Sequence, residues 1–158
     1  MSAGSRGRRP PALPIAYHDA CSLQHGQRVT APPRALLRQA GFALREIPER
    51  HFCCGSAGTD NLLQPGLARQ LGQRKARAAA ASGAVAIAAG NLGCLIQVGH
   101  YSALPRVHTV ELLDWASGGL RPAALAAIDD AVYPAPTLAV PAVAATADAD
   151  LNYWLYQA

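Results

Sequence analysis

Four cysteines constrain what this chain can fold into more than any other feature. Cys21, the adjacent pair Cys53 and Cys54, and Cys94 each stand just past a short apolar run that reads as a β-strand. The three places lie about thirty and about forty residues apart, so the thiols meet only in a fold that gathers its strand ends at one edge, where open α/β sheets place ligand sites. The pattern points to a metal or iron–sulfur site.

The rest of the chain supplies such a fold. Pro10, Pro11 and Pro14 make an extended, basic lead-in over 1–13, after which Ile15-Ala16-Tyr17-His18 reads as a buried strand. Pro32 and Pro33 mark the start of a helix carrying Leu36, Leu37 and Ala40, with Gly41 in the position of its C-terminal cap, and Phe42 to Ile47 alternates as a strand. Leu62, Leu63, Leu67 and Leu71 recur at helical spacing through Asn61 to Ala81, where Pro65 and Gly66 mark a break or a true start. Val85 to Ala89 is a continuous apolar run, as in a central parallel strand. A turn through Gly90 and Gly93 leads to a helix from about Leu95 to Tyr101, then a strand over Arg106 to Val110 and a short helix over Glu111 to Ala116. Fourfold strand–helix alternation predicts an α/β fold: a parallel sheet with helices on both faces and the cysteines at the C-terminal edge of its strands. The domain is expected over 14–120. Beyond Arg121 the chain is rich in Ala, Pro and Val and reads as a low-complexity, mobile tail, in which only Leu151 to Tyr156 offers much surface to bury.

Composition narrows the function classes. A length of 158 residues with 51% hydrophobic content predicts one domain whose core needs no disulfides. Four cysteines are sparse for a disulfide scaffold, and Met1 to Pro14 lacks the apolar stretch of a signal peptide, so a reducing cytoplasm is expected. Prolines cut the apolar tail, and Ser82, Asn91 and Gln97 interrupt Ala78 to Gly99, so no membrane span is expected. The net charge of +4 is local: Arg6, Arg8 and Arg9 open the chain, and Arg69, Arg74, Lys75 and Arg77 share one helical stretch without interleaved aromatics. That stretch reads as a solvated helix face or a docking face for an acidic partner, and not as a nucleic-acid surface.

Zinc and iron–sulfur clusters both accept thiolates from distant segments. A compact zinc ribbon would show paired Cys-x-x-Cys knuckles. Here the adjacent Cys53 and Cys54 diverge in an extended segment, which suits separate irons of one cluster. Gly55, Gly58, Gly90 and Gly93 let backbone N–H groups approach sulfur. His18, His25 and His51 flank the cysteine segments and are expected to stand behind the ligands, as are Gly55, Asn91 and Gly93, whereas His108 and Asp114 suit packing and capping. Two rival chemistries use the same residues: a thiol nucleophile at Cys53 or Cys54 acting with His51, and exchange through a strained vicinal disulfide. From another class, the cysteines hold a structural zinc in an interaction module.

The runs Tyr17-His18-Asp19-x-Cys21-Ser22-Leu23-Gln24-His25-Gly26, Cys53-Cys54-Gly55-Ser56-Ala57-Gly58-Thr59, Gly90-Asn91-Leu92-Gly93-Cys94 and His108-Thr109-Val110-Glu111-Leu112-Leu113-Asp114-Trp115 together resemble a known family. It is the cysteine-rich CCG domain of heterodisulfide reductases and of the iron–sulfur subunits of glycolate- and lactate-oxidising complexes, whose pattern is one Cys, a gap, Cys-Cys-Gly, a similar gap, then Cys-x-x-Cys. The resemblance runs from about Ile15 to Gly119 and is strongest to the second such domain of glycolate oxidase iron–sulfur subunits. The first Cys of the closing pair is here Asn91; four thiolates remain, enough for a [4Fe–4S] cluster held by Cys21, Cys53, Cys54 and Cys94. The resemblance implies electron transfer within a complex whose flavin subunit oxidises a 2-hydroxy acid, with a membrane quinone as acceptor. It also implies a longer subunit carrying ferredoxin-type clusters and a first CCG domain upstream. This chain is then expected to be a C-terminal portion or the product of a split gene, peripheral to the inner face of the membrane through its complex, or a remnant without metal.

Overall fold

A computed structural model describes residues 12–138. The elements follow in the order β1 (Pro14–His18), a π-helical turn (Ser22–Gly26), α1 (Ala31–Gln39), β2 (Ala43–Arg45), α2 (Asp60–Leu63), α3 (Pro65–Ala81), β3 (Ala86–Ala89), α4 (Leu92–Gly99), β4 (Arg106–His108) and α5 (Thr109–Ala116). All four strands run parallel in the order β2-β1-β3-β4, with Ile15 opposite Leu44 and His18 opposite Ala89.

Right-handed crossovers decide where the helices go. From β1 the chain moves outward through α1 to β2, then returns past β1 to β3 and on to β4. The direction of travel reverses once, so α1 lies on one face and α3 and α4 on the other. Strand alternation builds a core against each. Ile15, Tyr17, Ala86, Ala88 and Val107 meet Leu37, Ala40, Leu112 and Trp115 of α1 and α5, whereas Ala16 and Ile87 meet Ala76, Ala79 and Val98 of α3 and α4. The parallel sheet with helices on both faces is as expected from sequence.

Local signals explain where the elements shift. Pro65 is a true helix start, since α2 ends at Leu63 and α3 begins at Pro65. The buried stripe of α3 is Ala68, Gly72, Lys75, Ala76 and Ala79, and Leu62, Leu63 and Leu67 are exposed. Small side chains let the helix pack closely, Gly72 against Tyr101 and Ala68 against Gly55, which leaves Leu62, Leu63 and Leu67 on its flank. Helix α4 starts three residues earlier than its apolar period suggests because Asn91 caps it. Val110 leaves the expected fourth strand for α5 because His108 and Glu111 form a capping box: His108 Nδ1 accepts from Val110 N–H at 3.2 Å and Glu111 Oε2 accepts from His108 N–H at 2.8 Å. Capping is thus what His108 does.

Part of the segment read as a tail is anchored. Leu125, in a 3₁₀ turn over Ala123–Leu125, is fully buried, and Ile128, Tyr133 and Leu138 pack on the α1/α5 side of the core. Arg121 sits over the Trp115 ring and donates to the Ile128 carbonyl at 2.6 Å. These anchors are irregularly spaced, so no strand or helix period announces them. Arg6, Arg8, Arg9 and Leu151 to Tyr156 lie outside the described residues. Among the described residues, no helix is long and apolar enough to cross a membrane.

Candidate metal centre

The topology puts the three cysteine segments side by side. Strands β1 and β3 are neighbours whose chains leave in opposite directions, the arrangement that opens a crevice at the C-terminal ends of a doubly wound sheet. Cys21 follows β1, Cys94 lies in the first turn of α4 just past β3, and Cys53 and Cys54 come from the loop between β2 and α2. All four thiols are free and line one cleft of about 110 Å³ with Ser22, Ser56, Ala57, Gly58 and Asn91. Cys54 and Cys94 are buried, and Cys21 and Cys53 are half-buried at its mouth.

The thiols influence one another in a chain from Cys21 to Cys53 to Cys54 to Cys94. Contact with Cys54, followed by burial, pushes Cys53 up to about 12. The contact with Cys53 favours the Cys54 thiolate, yet Cys94 and burial outweigh it and hold Cys54 up at about 11. Burial and Cys53 raise Cys21, whereas the neighbouring Cys54 thiol lowers Cys94. Several thiolates cannot share so small a space without a cation, and a metal that displaces their protons relieves the conflict. The donor set therefore fits a thiophilic metal centre. A lone nucleophile at Cys53 or Cys54 would need a lowered pKa, and both are raised.

Backbone and side-chain donors surround the sulfurs. Gly55 N–H donates to Cys53 Sγ at 3.3 Å, and the amides of Cys54 and Ser56 face Cys21 and Cys54. Gly55 turns the chain at φ +89°, and a Cβ there would stand 2.5 Å from the Ala68 carbonyl oxygen, which also accepts from the buried Gln97 Nε2 at 3.0 Å. Gly55→Ala is expected to cost about 1–3 kcal/mol from the left-handed backbone alone. The clash with α3 adds to that and displaces Cys53 and Cys54, so urea unfolding and metal content should fall together. Gly93, in the first turn of α4, leaves room for the Ser56 hydroxyl. Asn91 Oδ1 accepts from Cys94 N–H at 3.1 Å, which fixes the turn that carries the thiol. Asn91→Ala is expected to cost about 1 kcal/mol, seen as a lower thermal midpoint.

The three flanking histidines divide. His25 Nε2–H donates to the His51 carbonyl at 3.0 Å, and the His51 ring lies against Phe52 with centroids 4.4 Å apart. Both are exposed and tie the loop after β1 to the loop before Cys53. His18 is different: it is 2% exposed, neither ring nitrogen has a partner among the described residues, and burial, then the Lys75 charge, pushes it down to about 4. One donor atom each of His18, Cys54 and Cys94 lies within 4.8 Å of the others.

Lys75 corrects the reading of Arg69 to Arg77 as a solvated face. It is 3% exposed, donates through Nζ to the Glu49 and Arg50 carbonyls at 3.2 and 3.3 Å, and has the thiols of Cys21, Cys54 and Cys53 as neighbours. Its spacing with Ala68, Gly72 and Ala79 was the available signal, because those small residues share its stripe. Arg69, Arg74 and Arg77 are exposed as expected, and Arg74 covers Phe52 and pairs with Glu49. A buried ammonium beside these thiols would compensate the negative charge of thiolates, and its two carbonyl contacts hold the loop just before Cys53.

Comparison with known proteins agrees with this geometry. Over 102 residues the chain is 35% identical to the glycolate oxidase iron-sulfur subunit of Escherichia coli, a match covering 65% of this chain and 25% of that protein. It is 30% identical over 112 residues to the probable glycolate oxidase iron-sulfur subunit of Bacillus subtilis, covering 66% and 25%. A 36% identity over 69 residues links it to a subunit of the fumarate reductase (CoM/CoB) of Methanothermobacter marburgensis, covering 43% and 14%. The chain thus spans about a quarter of the length of the two glycolate oxidase relatives. No solved structure matches it. The model of the cysteine-rich CCG domain matches residues 15–99, the stretch that runs from β1 through α4 and contains all four cysteines, and the chain belongs to that family.

Proposed function

We propose that this chain is the cluster-bearing portion of an electron-transfer subunit in a glycolate oxidase-like complex, with Cys21, Cys53, Cys54 and Cys94 holding one [4Fe–4S] cluster. The observation that carries the proposal is the convergence of four free thiols on one cleft at the switch point of the sheet. When bound, the cluster accepts and releases single electrons at a potential set by its burial and by hydrogen bonds to sulfur. This chain's contribution is to hold the thiols, direct the Gly55, Cys54 and Ser56 amides at them, place the Lys75 charge nearby and keep most water out.

The chain itself does not oxidise the substrate. A flavin subunit converts the 2-hydroxy acid, glycolate, to glyoxylate, and electrons pass through this portion and a ferredoxin-type portion to a membrane quinone. The names of the relatives in Escherichia coli and Bacillus subtilis support the glycolate reading. A brown chromophore that bleaches on dithionite reduction, with an EPR signal appearing in step, is the expected result. Glycolate should bleach it only when the flavin subunit is added; bleaching by glycolate alone, or none with that subunit, would sink the assignment.

One observation favours a second reading, a structural zinc ion: His18, Cys54 and Cys94 form a compact mixed set suited to a single cation. Zinc is colourless and redox-silent, so the same spectra separate the two.

A further inference from the structure

His18 is a buried imidazole with nothing to bond, in a place where three elements bring donors together. Strand alternation turns Ala16 and His18 to the face that carries Cys54 and Cys94, and Tyr17 to the opposite core. The His18 ring has both nitrogens unpartnered among the described residues, at 2% exposure, and buried polar groups in folded proteins nearly always find partners. One of its nitrogens lies within 4.8 Å of both Cys54 Sγ and Cys94 Sγ.

We propose that His18 is a nitrogen ligand of the metal centre, sharing with Cys54 and Cys94 the metal atom deepest in the cleft. The inference rests on the cysteine site proposed above and changes its chemistry from all-sulfur to mixed sulfur and nitrogen. Asn91 does not compete for the role, because its carbonyl oxygen is engaged by Cys94 N–H. His25 and His51 do not reach it, since their contacts are with each other's segment and with Phe52. A neutral imidazole beside the four thiolates adds no negative charge where a fifth thiolate would, and this keeps the potential of an iron–sulfur centre higher. It also leaves that metal atom with a neutral, exchangeable donor.

The test uses the full chain purified without air, labelled with ¹⁵N-histidine, after its iron, zinc and acid-labile sulfide have been measured. With iron and sulfide present, pulsed EPR of the reduced protein should show a directly coupled nitrogen that changes from ¹⁴N to ¹⁵N on labelling. The coupling should vanish in His18→Gln and persist in His25→Gln and His51→Gln, and His18→Cys should shift the midpoint potential downward. Should His18→Gln fail to load metal, persistence in the other two variants still supports the assignment to His18. Iron and sulfide without any histidine coupling, or coupling retained in His18→Gln, would overturn the inference and leave the cysteine-held cluster standing. Zinc without sulfide would overturn the iron–sulfur reading alone. The zinc K-edge spectrum then decides: a nitrogen among sulfur neighbours supports His18, and sulfur only overturns it. A chain that holds neither metal, and takes up none from ferrous iron with sulfide or from zinc, overturns both.

Discussion

Chain purified without air is expected to carry about four irons and about four acid-labile sulfides, and Cys54→Ser to lose nearly all of both. Cys54 is the strongest single choice because it is fully buried, lies with the other three cysteines in the cleft, and has its Sγ within 4.8 Å of Cys94 Sγ. A serine there keeps the volume and removes the soft donor. The fold should survive the exchange, since serine differs from Cys54 by a single atom, and of the two cores only the smaller one, which Cys54 shares with Ile87 and Val98, is touched. Circular dichroism near that of the parent, with metal lost, is therefore the expected pair of results. Full iron content in Cys54→Ser would show that the cleft is not the site.

The other large effect is expected at the opposite side of β1. Asp19 and Arg34 are 3% and 4% exposed and pair through two hydrogen bonds, Nε to Oδ1 at 3.2 Å and Nη2 to Oδ2 at 2.6 Å, with the guanidinium over the Tyr17 ring. Arg34 also reaches Glu46 at 2.5 Å, an exposed carboxylate that adds little. Arg34→Met leaves the Asp19 carboxylate buried and unpaired, and is expected to cost about 3–5 kcal/mol by urea unfolding. The double variant Asp19→Leu with Arg34→Met should recover most of that loss, because it removes both buried charges. Asp19 stands between His18 and Cys21, so the single variant should also loosen the metal site. A cost below about 1 kcal/mol for Arg34→Met would show that the pair does not organise this segment.

Much of this protein was determined by the order of its residues alone. Short apolar runs ending in cysteine segments, separated by helical periods, were enough to place four thiols at one edge of a parallel sheet, because right-handed crossovers leave few other arrangements. Pro65 and Asn91 carried local capping and start signals of the same kind. Other features depended on what a helix or loop meets in space. Leu62, Leu63 and Leu67 recur at helical spacing yet face outward, since the buried stripe belongs to Ala68, Gly72, Ala76 and Ala79, with Gly72 close against Tyr101 and Ala68 against Gly55. Lys75 looked like one more surface cation until its stripe proved to be the buried one. Leu125 and Leu138 sit in a segment whose composition reads as loose, and only contact with the α1/α5 core makes anchors of them. His18 was legible as a neighbour of the cysteines. Its unpartnered ring, turned to the same face as Cys54 and Cys94, follows from strand pairing and from the return of the chain across β1, and those are properties of the tertiary structure.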